Sequence, residues 1–223
     1  MSRRILSPFM QTYDRLPDAL PIFPLANALL LPAGRLPLNI FEPRYLNMIE
    51  DAMLGERLIG MIQPKPEATT IKSASNPNLY ETGCAGRISD YSETEDGRLE
   101  IVLSGLCRYT IQSELSGVRG YRIVKPDWSA FKSDYDEPQE PEQAIFDGFK
   151  RTLETFLQQR EIPADWKIFD KLSTSSLISS LVNVLPIDSA DRQMLLEADS
   201  LEGRIRTFSA ILEGNVSSSQ VRH

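Results

Sequence analysis

Two lysines and three serines lie close together in the chain and could form a Ser-Lys pair, in which a lysine amine activates a serine hydroxyl. The residues are Lys167, Lys171, Ser173, Ser175 and Ser176. A catalytic lysine must be desolvated so that its pKa falls towards neutrality. These lysines instead have the pattern of a solvated helix face, and the serines have that of helix caps. A small Ser-Lys hydrolase therefore stays an alternative, and the pattern favours a structural role.

The sequence has no internal histidine that could take part in catalysis or metal binding, because its single histidine is the last residue, His223. This excludes a Ser-His-Asp triad, a Cys-His pair and an HExxH zinc site. The phosphate-binding pattern GxxxxGK[ST] is also missing from the sequence, and with it the usual ATP cradle. We therefore expect no catalytic residues, no metal, no cofactor, and neither ATP hydrolysis nor proteolysis by this chain.

Acidic residues are concentrated at 127–142, where six of them accompany one lysine and supply most of the net charge of −7. A calcium loop needs alternating ligands and a glycine at its bend, and this segment has neither. We interpret it as a solvated linker that is extended by the repulsion of its charges. Lysine and arginine form no cluster elsewhere, so nucleic acid is not an expected partner.

The segment 36–45 joins an alternating apolar strand to the start of a helix at Pro43. Its aromatic and cationic side chains could line a groove that receives an extended peptide. We name Phe41, Arg44 and Tyr45 as the candidate peptide-binding residues. The alternative is a packed structural corner in which Phe41 belongs to the core.

Periodicity divides the chain into two parts. Residues 18–126 contain short alternating strands with turn signals and one short helix, which predicts an antiparallel, barrel-like sheet. The first strand, near 20–25, contains prolines that favour a sheet edge. The linker at 127–142 follows, and residues 143–213 have helical spacing. The fold class is therefore α+β, with a long polar loop at 64–79.

Membrane and export signals are missing from the pattern. The apolar stretch near 20–33 is interrupted by three prolines and is too short to span a bilayer, and no signal-peptide core follows the first arginines. Cys84 and Cys107 fit a reducing compartment and burial in a core. We expect a cytoplasmic protein without a membrane partner.

Several short motifs together, in order, resemble those of the Lon protease substrate-binding (N-terminal) domain family. In the strand-rich part they are PIFPL at 21–25, LPLNIFEPRY at 36–45, GCAGRI at 83–88, DGR at 96–98 and LSGLCR at 103–108. In the helical part they are LPI at 185–187, RQ at 192–193, LE at 196–197 and Arg204. The resemblance covers about residues 18–213.

The resemblance implies a PUA-like pseudo-barrel sheet followed by an α-helical bundle. In full-length Lon proteases such a domain precedes ATPase and Ser-Lys peptidase domains. Since this sequence ends at His223, it looks like a stand-alone version without them. The family's role in engaging substrate proteins carries over, whereas its catalytic motifs have no counterpart here.

The sequence thus predicts a non-enzymatic module that engages unfolded or extended polypeptide segments and has a link to proteolysis and protein quality control. A protease or a chaperone is a candidate partner, and weak association of the chain with itself as a homo-oligomer is a further possibility. Strand addition at an open sheet edge would supply the binding. An RNA-binding PUA-like module is a further alternative, which would need a basic stripe made by Arg87, Arg98, Arg108, Arg119 and Arg122.

Overall fold

A computed structural model of the chain describes residues 12–66, 77–117, 119–137, 139–163, 169 and 171–220. Most of the predicted polar loop at 64–79 lies outside these residues, and its ends, Pro64 and Leu79, form an isolated antiparallel bridge. Lys167, one half of the Ser-Lys hypothesis, also lies outside them.

Six strands of the described part of the chain form one sheet. They are β1 (Leu20–Pro24), β2 (Arg35–Ile40), β3 (Leu58–Ile62), β4 (Thr82–Glu93), β5 (Leu99–Leu115) and β6 (Arg122–Asp127). Their order is β2-β5-β4-β3-β1-β6, and a further pairing of β5 with β6 closes the last five strands into a barrel. β5 is long enough to pair with β2 through its first half and with β6 through its second. The prediction of an α+β fold with a barrel-like sheet is confirmed.

The edge of this sheet is not where the prolines predicted it. β1 is flanked by β3 and β6, and the side chains of Leu20 and Ile22 are fully buried, so the strand lies inside the sheet. β2 pairs with β5 alone and is the edge strand of the described part of the chain. The sheet is mixed and not wholly antiparallel as predicted, because β1 pairs with β3 in parallel. β2 and a helix lie between these two strands in sequence and provide the crossover that parallel strands need.

Five α-helices whose bounds lie within the described residues accompany the sheet. They are α1 (Pro43–Leu54), α2 (Gln143–Gln159), α3 (Thr174–Val184), α4 (Ser189–Glu197) and α5 (Leu201–Gln220). The predicted cap at Ser173 is confirmed, because Ser173 Oγ accepts the Ser176 N–H at 3.3 Å. Asp188 caps α4, since its Oδ1 accepts the Asp191 N–H at 2.8 Å. Among the described helices none has the length and apolar character of a membrane span.

One hydrophobic core extends from the sheet into the helices. Its buried cluster contains Phe23 and Tyr45 from the first part of the chain and Phe149 and Phe208 from the second. A smaller cluster fills the barrel around the fully buried ring of Tyr109. The division into domains 18–126 and 143–213 stays a prediction, and the packing shows that the two parts share a core.

The acidic segment differs from the solvated, extended linker that its charge predicted. β6 continues to Asp127, and Ser129–Tyr135 form a 3-10 helix. Within it, the Asp134 side chain is only 7% exposed because it forms an ion pair with Arg108 of β5. A buried partner of opposite charge thus holds this part of the segment against the barrel.

Both cysteines are buried, as predicted. Burial raises the pKa of the Cys107 thiol to about 12 and that of the Cys84 thiol well above its ordinary value. Because the thiolate is the nucleophile, we expect neither cysteine of the folded protein to react with Ellman's reagent at about pH 8. Both should react promptly in guanidinium chloride. A native thiol that reacts as fast as the unfolded chain would contradict this expectation.

Candidate functional site

The three predicted peptide-binding residues lie at the corner between β2 and α1 and differ in exposure. Phe41 is 63% exposed, whereas Tyr45 is 5% exposed. Leu36 and Ile40 of β2 face the core, so strand alternation places Phe41 on the opposite, outer face. The Arg98 guanidinium carbon lies 5.9 Å from the centre of the Phe41 ring. The alternative of Phe41 as a core residue is therefore wrong, and its ring is available to a partner.

Tyr45 and Arg44 hold the start of α1 against the sheet. The Tyr45 ring packs on Phe23 with 4.2 Å between the ring centres, and burial raises the pKa of its hydroxyl. The Arg44 guanidinium carbon lies 4.5 Å from the centre of the Tyr45 ring, and Arg44 Nη2 lies 2.9 Å from Glu42 Oε2 in an ion pair. Peptide binding by Phe41, Arg44 and Tyr45 stays a prediction, and the geometry favours Phe41 as its contact residue.

A shallow groove of about 590 Å³ runs over the outer face of the sheet beside the open edge of β2. Residues of β2, β4 and β5 line it, among them Pro37, Asn39, Asp90, Glu100 and Val102. We call this the β2 groove. An exposed edge strand offers unpaired backbone donors and acceptors to another chain, and Pro37 removes one donor from that row.

The joint between the barrel and the helices is built around a buried arginine, Arg108, which the sequence analysis named only as a member of the basic stripe that RNA binding would need. The Arg108 Nη2 and Nε atoms donate to the Asp134 carboxylate at 2.8 and 3.0 Å. Its Nη1 donates to the backbone carbonyls of Leu196 and Ala198 at 3.1 and 2.7 Å. Arg108 is only 4% exposed, so the pair links β5, the 3-10 helix and the α4–α5 connection in the interior.

One serine of the Ser-Lys hypothesis, Ser173, is the N-cap of α3, and Ser175 and Ser176 lie in the first turn of that helix. Ser173 Oγ contacts Ser176 Oγ at 2.8 Å and Ser175 Oγ at 3.3 Å, and these hydroxyls lie at the exposed first turn of α3. Within the described residues, Lys171 has no hydrogen bond to any of them. The geometry supports the structural interpretation of this segment.

The arginines that an RNA-binding surface would need are mostly engaged by carboxylates. Arg98, Arg108, Arg119 and Arg122 form ion pairs with Asp96, Asp134, Glu50 and Asp51, and Glu114 respectively. Phosphate binding depends on cations whose charge is available to the phosphates. The described residues therefore offer no basic stripe along these strands, and the RNA-binding alternative gains no support.

Solved structures share this architecture. The crystal structure of a Lon N-terminal domain protein from Xanthomonas campestris aligns with a TM-score of 0.59 and 22% identity, over 86% of this chain and 97% of that chain. The N-terminal domain of a Mycobacterium avium complex Lon protease aligns with a TM-score of 0.60 and 19% identity, over 87% and 98%. At such identities the likeness concerns the fold.

Curated relatives are similar in sequence as well. Lon protease 2 of Herpetosiphon aurantiacus is 26% identical over 212 residues, which cover 92% of this chain and 25% of the relative. The Lon protease of Desulfosudis oleivorans is 32% identical over 98 residues, which cover 44% of this chain and 12% of the relative. The chain thus spans about a quarter or less of the length of these relatives.

The sequence model of the ATP-dependent protease La (LON) substrate-binding domain matches residues 19–214. This range contains the whole barrel, the corner at 36–45, the buried Arg108–Asp134 pair and nearly all of the helical part. The chain therefore belongs to the Lon substrate-binding domain family.

Proposed function

We propose that this chain is a non-enzymatic polypeptide-binding module that engages unfolded or extended segments of substrate proteins. The observation that carries the proposal is the open edge of β2, which pairs on one side only among the described strands. An extended segment could add there as a further strand, with backbone hydrogen bonds for affinity and the β2 groove for its side chains. The family's description as a substrate-binding domain supports the same function.

Phe41 is the side chain best placed to anchor such a segment. It lies immediately after β2 and its ring is 63% exposed, and aromatic residues often dominate the energy of an interface. Its neighbour Arg98 is already paired with Asp96 at 2.8 Å. The Phe41 ring, and not the Arg98 charge, is therefore the group that can contact a partner. A partner is thus expected to contribute an apolar side chain at this point.

The proposal is tested by measuring the fluorescence anisotropy of labelled α-lactalbumin in its reduced, carboxymethylated form, which cannot fold, and in its native form. We expect the module to bind the unfolded form and not the folded one. Phe41→Ala should weaken this binding at least about fivefold, as expected for an interface anchor. Binding of neither form would overturn the proposal.

A second variant addresses the backbone edge. Pro37 has no N–H, so it occupies a position of β2 whose backbone faces away from β5. Because every second residue of a strand faces the same side, the Asn39 N–H also faces the open side of β2. Asn39→Pro should therefore weaken client binding more than Asn39→Ala does. Leu54→Ala is the matched apolar control, because Leu54 is 86% exposed on α1 and should leave binding unchanged. Client affinities are compared only among variants that keep the melting temperature of the wild-type protein.

A further inference from the structure

A second concave site lies between the two parts of the fold, away from the β2 groove. It is a cleft of about 430 Å³ between the 3-10 helix and the N-termini of α3 and α5. Its floor holds Arg108 and Arg204, and its rim is acidic, with Asp136, Glu137, Glu140, Asp199 and Glu202. We call it the Arg204 cleft. Asp134 also lines it and forms an ion pair with Arg108, whereas Arg204 has no ion-pair partner among the described residues.

Arg204 is buried, and no carboxylate of the described residues forms an ion pair with it. It is 7% exposed, and its Nε donates to the Leu195 carbonyl at 2.8 Å. Its two terminal nitrogens make no hydrogen bond within the described residues, and they are not among the atoms sealed from solvent. They therefore open on the cleft that the residue lines. Desolvation by burial, followed by the nearby charge of Arg108, lowers the pKa of Arg204 to about 10.

The other buried arginine of the helical part shows what a structural arginine looks like in this fold. Arg192 is 5% exposed, and its three guanidinium nitrogens donate to the carbonyls of Val182, Leu185 and Ile187. Buried polar groups are normally satisfied in this way. Arg204 differs from it, because two of its nitrogens have no hydrogen-bond partner among the described residues and lie beside an open cleft.

The N-terminus of α5 adds to the attraction for an anion. Ser200 caps this helix by accepting the Gly203 N–H at 3.0 Å, and both Ser200 and Leu201 line the cleft. The first-turn N–H groups of a long helix carry a partial positive charge that favours anions. A buried guanidinium and a helix N-terminus thus converge on one place.

We propose that the Arg204 cleft binds the α-carboxylate at the end of an extended polypeptide chain, with Arg204 as the recognising residue. This inference rests on the proposed function and extends it from extended segments to chain termini. A guanidinium donates two parallel hydrogen bonds to a carboxylate, which gives geometric selectivity as well as affinity. The acidic rim would repel polyanions and would favour lysine or arginine side chains just before the terminus.

The test uses the full chain and a fluorescent eight-residue peptide with two lysines, made once with a free C-terminal carboxylate and once as the C-terminal amide. We expect the free acid to bind at least about tenfold more tightly, the usual size of a charge-assisted hydrogen bond. Inorganic phosphate serves as the competing anion. If phosphate displaces the peptide at low concentration, or if acid and amide bind equally, the proposal is overturned.

Three variants assign the effect to the cleft. Arg204→Gln should remove the preference for the free acid. Arg192→Gln, the matched buried control, should keep that preference in the protein that remains folded. Asp136→Asn combined with Glu137→Gln, both at exposed rim positions, should weaken acid and amide equally. Retention of the acid preference in folded Arg204→Gln would contradict the assignment.

A measurement on the wild-type protein covers the case in which Arg204→Gln does not fold. In a ¹⁵N–¹H spectrum, the free acid should shift the Arg204 Nε–H and the backbone amides of Leu201 and Glu202 more than the amide peptide does. Equal shifts from both peptides would overturn the proposal. The client assay separates the two ideas: a module that binds the unfolded client without an acid preference retains the proposed function and loses this inference. A module that prefers the free acid but does not bind the unfolded client retains this inference and loses the proposed function.

Discussion

Replacing Arg108 by methionine is expected to lower the free energy of unfolding by about 3–5 kcal/mol, the cost of breaking a buried ion pair from one side. The variant keeps most of the apolar stem and removes the charge. It leaves the Asp134 carboxylate buried without its cation, and it leaves the carbonyls of Leu196 and Ala198 without their donor. Urea denaturation followed by circular dichroism measures the loss.

Two further variants show whether burial is the cause. Arg35→Met breaks an ion pair of similar length, Arg35–Asp90 at 3.0 Å, in which both side chains are 66% exposed. This control should lose no more than about 1 kcal/mol. Arg108→Met combined with Asp134→Leu should recover part of the loss, because it removes the stranded carboxylate. Equal losses for Arg35→Met and Arg108→Met would contradict the role given to Arg108.

The secondary structure was within reach of the sequence because its signals are local. Ser173 precedes an apolar periodic segment and caps a helix as predicted, and Asp188 caps the next helix in the same way. The pairing of Arg108 with Asp134 was not predictable in the same way. The two residues lie on different elements, and Asp134 stands in a segment whose composition indicates solvation. Its burial depends on where the 3-10 helix packs, which only the tertiary fold decides.

Arg204 did have a signal in the sequence. It stands three residues after Leu201 and four before Phe208, within the apolar stripe of α5. A cation at such a position must either find a buried partner or open on a cavity. The sequence could not tell these outcomes apart, because Asp134, whose charge acts on Arg204, belongs to the 3-10 helix, which meets α5 only in the folded chain.

The edge of the sheet shows how a local rule can mislead. Prolines in β1 predicted an edge strand, yet the fold encloses β1 because Leu20 and Ile22 must be buried. β2 also contains a proline, Pro37, and it is the strand left open. Its exposed residues alternate with buried ones, which is the pattern expected of a strand with one face in solvent.

Replacing Tyr45 by alanine is expected to destabilise the protein by about 3–5 kcal/mol, the usual cost of deleting a buried aromatic ring. The ring is 5% exposed, packs on Phe23 and belongs to the main core cluster, so its loss leaves a cavity where α1 meets the sheet. Phe41→Ala should change stability by less than about 1 kcal/mol, because that ring is 63% exposed. Thermal and urea denaturation of both variants measure the difference.

The contrast decides how binding data at this corner are read. If Tyr45→Ala is destabilised as expected, a loss of client binding by that variant reflects the loss of its fold. A loss of client binding by a stable Phe41→Ala protein reflects the loss of a contact with the client. Tyr45→Phe keeps the ring in the core and should retain most of the stability and the client affinity. If Tyr45→Ala is as stable as the wild type, the ring does not anchor α1. A weaker affinity of that folded variant would then return Tyr45 to the binding surface beside Phe41.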